Sequence, residues 1–121
     1  MREELTDSEI SNFLQRYGKV RPLSLPKQKF SSSILPYEVE NENQKFAVFV
    51  YNWKKSIGTD VLIRLEDKVS DLGKKYDGII VIGKKFSINA RDIVADINKR
   101  GKNPLILIKR SEISMILESA R

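Results

Sequence analysis

The sequence of 121 residues contains no cysteine and no histidine. Without cysteine, the chain can form neither a disulfide nor a thiolate metal site. Without histidine, it can hold neither a Ser-His-Asp or Cys-His catalytic arrangement nor a histidine-ligated zinc ion. A metal site would have to use carboxylate and carbonyl oxygens, which favour magnesium or manganese. We expect no cofactor.

Long apolar runs are also missing. No segment approaches the roughly 20 apolar residues that a membrane-spanning helix needs. The opening residues, Met1-Arg2-Glu3-Glu4, lack the apolar region of a signal peptide. We therefore expect a cytoplasmic protein without a membrane partner.

The charge of the chain is biased toward one sign. Lysine and arginine number 22 against 16 aspartate and glutamate residues, so the formal net charge is +6. A basic excess suits a polyanionic partner, because lysine and arginine bind phosphates and release counterions. The hydrophobic content of 40% is enough for one core, and the length predicts a single domain over residues 1–121.

The first half of the sequence predicts one helix and three strands. Thr6 and Glu9 have the spacing of a capping box, and an apolar face follows from Ile10 to Tyr17. Residues 20–25 are expected to form a short strand. Pro22 restricts this strand to the edge of the sheet, where its missing N–H breaks no hydrogen bond between strands. Residues 34–40 are expected to pair with residues 45–53 through a polar turn.

The second half alternates between helix and strand patterns. Apolar residues at helical spacing predict helices over residues 61–72, 89–99 and 111–118. Residues 77–82 and 104–108 are short apolar runs, which are typical of strands covered on both faces. The predicted order is α-β-β-β-α-β-α-β-α, an α/β fold. The helical crossovers favour a parallel arrangement of the later strands in a mixed sheet whose central strand is residues 46–53.

Two segments carry a resemblance to a known family. After the third strand the chain reads Trp53-Lys54-Lys55 and then Ile57-Gly58. The later block reads Gly78-Ile79-Ile80-Val81-Ile82, followed by Lys85-Phe86-Ser87 and Ala90. In this order, over residues 10–117, the chain resembles restriction-endonuclease-like domains of the Mrr type. The resemblance implies a restriction-endonuclease-like mixed sheet flanked by helices.

The chain departs from that family at the positions that carry its chemistry. Such nucleases hold a divalent metal with an aspartate on one strand and a glutamate or glutamine on the next, and a lysine two residues later stabilises developing charge. The matching positions here are Pro36, Phe49 and Tyr51. None of these side chains can ligate a metal or supply an ammonium group. The resemblance therefore implies a nuclease fold without catalytic or metal-binding residues.

Three functional hypotheses follow. The first is a non-catalytic nuclease-fold domain that binds nucleic acid, with DNA favoured over RNA. The second is a self-associating scaffold or interaction subunit that does not bind nucleic acid. As partners we expect nucleic acid, and a second copy of the chain or a larger nucleoprotein complex. The third is a nuclease whose metal site has moved to Glu38, Glu40 or Asp60, although carboxylates beside a strand turn are more often only solvated.

The candidate nucleic-acid contacts lie after the third and fourth strands. Trp53 can stack on a base or cap the core, while lysines beside it bind phosphate. Lysines in the next turn precede a helix that Ser87 or Asn89 is expected to cap, and the helix N-terminus attracts anions. The candidate residues are Trp53, Lys54, Lys55, Lys84, Lys85, Ser87 and Asn89.

Overall fold

The structure, a computed structural model, describes residues 7–23, 34–71, 76–100 and 104–119. The helices and strands in these ranges are α1 (Asp7–Leu14), β1 (Lys19–Pro22), β2 (Ile34–Glu40), β3 (Lys45–Tyr51), α2 (Thr59–Asp71), β4 (Gly78–Gly83), α3 (Ala90–Arg100), β5 (Leu105–Lys109) and α4 (Arg110–Ser119). Three strands follow the first helix, and helices and strands alternate only from β3 onward.

The strands form one sheet in the order β1-β2-β3-β4-β5. The first three are antiparallel neighbours, whereas β3, β4 and β5 run parallel to one another. The tight turn after β2 permits antiparallel pairing, and the helices α2 and α3 supply the long crossovers that parallel strands require. The predicted α/β class and mixed sheet are confirmed, with β3 in the centre and β4 parallel to its neighbours.

The sheet is covered on both faces, which explains the uninterrupted apolar run of β3. Ala47 and Phe49 pack with α2 and α3, whereas Val48 and Val50 pack with α1 and α4. All four side chains are fully buried. Alternate residues of a strand point to opposite faces, so a strand between two helical layers needs apolar residues at every position.

Several predicted boundaries differ from the structure. Helix α1 ends at Leu14, and the segment up to Tyr17 continues as turns. Strand β1 ends at Pro22, after which Leu23 N–H still donates to Pro36 C=O over 3.2 Å. Strand β3 ends at Tyr51, so Trp53 lies beyond it. Thr6 of the predicted capping box lies outside the described residues.

In the described ranges, none of the helices has the length and apolar character needed to cross a membrane.

Candidate nucleic-acid interface

The candidate contact residues gather at the carboxyl ends of the parallel strands. The segments that follow β3 and β4 are joined there by a parallel bridge between Ile57 and Phe86. Ile57 N–H donates to Lys85 C=O over 2.9 Å, and Ser87 N–H donates to Ile57 C=O over 3.0 Å. Residues 53–57 and 84–87, far apart in sequence, therefore lie side by side at this edge.

This arrangement brings the four predicted lysines to one edge of the sheet. Lys54, Lys55, Lys84 and Lys85 are all exposed. In the described part of the chain, none of them forms an ion pair with an acidic side chain. We call these four residues the lysine rim. Their charges are unneutralised by the described protein residues and are available to an anion.

Gly83 permits the close contact between the two segments. A Cβ atom at this position would collide with Cδ1 of Ile57. Ile57 is itself fully buried and belongs to the apolar core. A glycine at the end of β4 thus lets the segment after β3 pack directly against the strand.

Trp53 was expected either to stack on a base or to cap the core, and in the structure it caps the core. Its side chain is half-buried against the apolar cluster beneath α2 and α3. The ring meets Tyr51 edge-on with 5.0 Å between centroids, and Lys55 Nζ lies 4.7 Å from the Trp53 centroid. This cation–π contact holds Lys55 beside the ring. Stacking of Trp53 on a base stays a prediction.

Ser87 and Asn89, the two residues expected to cap α3, lie in the turn before it. Ala90 N–H donates to Ser87 C=O over 3.1 Å, and Ile93 N–H donates to Asn89 C=O over 3.1 Å. These are backbone bonds, with Asn89 at the N-cap position. Of the two predicted caps, Ser87 does not act through its hydroxyl, because its Oγ is buried without a hydrogen-bond partner among the described residues.

The positions that match the metal-binding residues of Mrr-type nucleases share one face of the sheet. Pro36 lies directly opposite Phe49 in the β2–β3 pairing, and Tyr51 lies opposite Ile34 on the same face. Phe49 and Tyr51 are buried in the core beneath α2 and α3. Burial raises the pKa of Tyr51 to about 12, so the phenol is neutral at physiological pH. At these three positions the face presents apolar and neutral groups, and no carboxylate or ammonium group.

Of the acidic residues considered for a relocated metal site, Glu38 and Glu40 share one face of β2, but Asp60 does not lie with them. Glu38 and Glu40 lie near the amino end of β3, opposite Ala47 and Lys45. Asp60 lies in the first turn of α2, beyond the carboxyl end of β3. Across the described ranges, no cluster of three or more potential acidic ligands is present.

Glu38 is already engaged by basic and phenolic side chains. Its carboxylate lies 2.9 Å from Arg21 Nη2 and 3.2 Å from Lys45 Nζ, and Tyr76 Oη donates to it over 3.2 Å. Burial acts to raise the pKa of Glu38. The hydrogen bond and charge of Lys45, the Tyr76 hydrogen bond and the Arg21 charge outweigh burial and hold that pKa below its ordinary value. The carboxylate thus has a structural role in joining β1, β2 and β3.

Arg110 is a residue at this edge that the sequence analysis missed. It follows β5 and is 7% exposed. Its guanidinium donates to Asn52 Oδ1 and, over 3.4 Å, to Tyr51 C=O, so it spans the end of β4 to reach the end of β3. No sequence signal indicated this role, because a basic residue at the end of a strand is common on any surface. The buried charge adds to the positive potential at the carboxyl edge.

Comparisons of the chain with protein-family models, with curated proteins and with solved structures find no significant match. The resemblance to Mrr-type domains therefore stays a prediction.

Proposed function

We propose that the chain is a non-catalytic domain of restriction-endonuclease-like fold that binds nucleic acid, DNA in preference to RNA. The observation that carries the proposal is the convergence of the lysine rim at the carboxyl edge of the parallel strands. Ligands of open α/β sheets characteristically bind at this edge. Exposed lysines bind a phosphate backbone there without needing to identify a base.

The absence of catalysis is supported by the chemistry of the buried face. Pro36 faces Phe49 across the β2–β3 pair, and Tyr51 shares their face of the sheet. Metal-assisted phosphate hydrolysis needs oxygen ligands to position a cation and a group to stabilise developing charge. A proline and two buried aromatic rings provide neither a carboxylate nor an ammonium group.

Charge reversal at the rim tests the proposal. The binding variant combines Lys54→Glu, Lys55→Glu, Lys84→Glu and Lys85→Glu. The control combines Lys19→Glu, Arg64→Glu, Lys99→Glu and Arg100→Glu, which change the net charge equally. These control side chains are exposed on β1, α2 and the last turn of α3, away from the rim.

Binding to labelled duplex DNA and RNA should be measured by fluorescence anisotropy over a range of salt concentrations. For the wild type, we expect log K to fall against log salt with a slope of about −3 to −4, the value for four neutralised phosphates. The rim variant should bind at least about 100-fold more weakly and lose most of this slope, whereas the control should lose much less. With magnesium or manganese present, the DNA should remain uncut.

The opposite results have a clear meaning. Failure of the wild type to bind at low salt, or equal losses in the two variants, would refute the proposal and favour the scaffold hypothesis. Metal-dependent cleavage abolished by Glu38→Ala would instead establish the nuclease hypothesis. Circular dichroism and thermal unfolding of each variant verify that the comparison is between folded proteins.

A further inference from the structure

A cavity of about 470 Å³ opens beside β5, next to the lysine rim. Its walls include Phe86, Val94 and Leu107, which give it an aromatic and aliphatic surface. Its volume lies within the roughly 300–1,000 Å³ of typical small-molecule sites. Because Phe86 directly follows Lys85, the cavity begins where the rim ends. We call it the β5 pocket.

Unused hydrogen-bonding groups line this pocket. The Ser87 Oγ atom is buried and has no partner within the described residues. In the parallel β4–β5 pairing, Pro104 C=O accepts from Ile79 N–H. The alternation of a parallel ladder then directs the peptide groups of Ile106 toward β4 and those of Leu107 away from it. Leu107 consequently presents one N–H donor and one C=O acceptor at the open edge.

The pocket is also positively charged. Arg91 and Lys109 line it, both exposed, and neither forms an ion pair with a residue in the described ranges. The acidic residue of the lining, Glu112, accepts a hydrogen bond from Lys109 N–H over 3.3 Å. Two cationic side chains and one carboxylate give the pocket an excess of positive charge, which suits an anionic group of the ligand.

The edge of β5 is closed to another strand on both sides of Leu107. Asn98 binds both outward peptide groups of Leu105, and Glu112 accepts the outward N–H of Lys109. Strand addition needs a row of free peptide groups. Within the described ranges, both outward peptide groups of Leu107 are free, so the edge suits a compact ligand with one donor and one acceptor.

We propose that the β5 pocket binds a single nucleotide. The base packs against Phe86 and Val94 and pairs its donor–acceptor edge with the peptide N–H and C=O of Leu107. The phosphate is bound by Arg91 and Lys109. The inference rests on the proposed function, since a strand lying along the lysine rim would bring a terminal or unpaired nucleotide to this pocket. A free nucleotide has the same chemistry.

Titration of the full chain with AMP, followed by two-dimensional NMR, tests this assignment. AMP should shift the Leu107 amide and bind at least about tenfold more tightly than adenosine or inorganic phosphate alone, because each of those lacks one half of the contacts. Arg91→Glu should weaken AMP binding by at least about tenfold. Arg100→Glu, an exposed change at the other end of α3, is the matched control and should leave AMP binding unaltered.

DNA probes separate the two sources of the nucleotide. If the source is a strand end, a duplex with one unpaired 5′-phosphorylated nucleotide should shift the Leu107 amide at lower concentration than AMP, and a blunt duplex should not. If the source is a free nucleotide, AMP should produce the shift and the overhang should not. The rim variant should still bind AMP, so failure of duplex binding alone would count against the proposed function and not against the pocket.

Two results would overturn the pocket assignment. The first is the absence of any Leu107 shift with both AMP and the overhang while the rim binds duplex DNA. The second is binding of inorganic phosphate as tight as that of AMP, which would show an adventitious ion only.

Discussion

The side-chain amide of Asn98 binds both outward-facing peptide groups of Leu105. Its Oδ1 accepts from Leu105 N–H over 2.7 Å, and its Nδ2 donates to Leu105 C=O over 3.3 Å. Asn98 thereby replaces the strand that would otherwise pair with the start of β5. An unpaired edge strand is a template for association with another chain, and natural proteins protect such edges.

Removing this protection should expose the edge. We expect Asn98→Ala to lower the free energy of unfolding by about 1–2 kcal/mol, because two hydrogen bonds are lost. The variant should also self-associate more than the wild type, as measured by analytical ultracentrifugation at several concentrations. Asn98→Asp is the matched control, since it retains the acceptor for Leu105 N–H but not the donor. Unaltered association of Asn98→Ala would show that Asn98 does not protect the edge.

Glu38 should make the free energy of unfolding decrease as the pH falls through the acidic range. Its pKa is lowered in the folded state, so its stabilising effect is complete above the ordinary carboxyl pKa and is lost as the pH falls through the folded-state value. Glu38→Gln should therefore cost about 1–3 kcal/mol at pH 7. The difference from the wild type should shrink as the pH falls below about 4.5.

Urea unfolding at pH 7 and pH 3 measures this difference. Glu40→Gln is the control, because Glu40 is exposed and contacts the same Arg21 over 3.2 Å. An exposed pair of this kind contributes about 0–1 kcal/mol. A cost for Glu38→Gln that is the same at both pH values would contradict the assigned role of the carboxylate.

Tyr51 should produce a loss of stability at alkaline pH. Burial raises its pKa from 10.0 to about 12, so the folded state retains a proton that the unfolded chain releases near pH 10. The stability is therefore present below about pH 10 and falls as the pH rises toward about 12, by up to about 2–3 kcal/mol.

Tyr51→Phe should remove this part of the alkaline loss and change little at pH 7. The measurement is urea unfolding at pH 7 and at about pH 11.5. Tyr17→Phe is the control, because it removes a phenol hydroxyl from a residue that is 45% exposed. Identical alkaline loss in Tyr51→Phe and the wild type would show that Tyr51 does not contribute.

Much of the fold could be predicted because its signals are local. The β2 strand was predicted at its observed bounds, Ile34–Glu40, because the polar residues that follow it mark a turn and β3 continues as an apolar run. The end of β3 was predicted two residues too late. Tyr51 and Trp53 are both aromatic residues with a high preference for strands, so the sequence does not mark the end of β3 between them. The hydrogen bond that Arg110 donates to Tyr51 C=O, from 59 positions away, is a tertiary contact at that end.

The candidate site was less predictable, since it depends on contacts between distant segments. The lysines could be named from the sequence, as could the expectation that strand ends meet at one edge. The bridge between Ile57 and Phe86 is a tertiary contact, and the Ile57 side chain beside it packs directly against Gly83. Arg91 and Lys109 carried no sequence signal, because a single basic residue on a helix or at a strand end is common on any surface.

By itself, the sequence determined the element types, the basic character of the chain and the chemistry that it lacks. These properties follow from residue identity and from the short periods of helices and strands, which neighbours in sequence define. Only the tertiary structure decided that Glu38 is held by Arg21 and Lys45, and that the Ser87 hydroxyl is buried without a partner among the residues that the structure describes. The physical reason is that burial, pairing and pKa depend on which side chains the sheet brings within a few ångströms, and sheet pairing joins residues that the sequence keeps far apart.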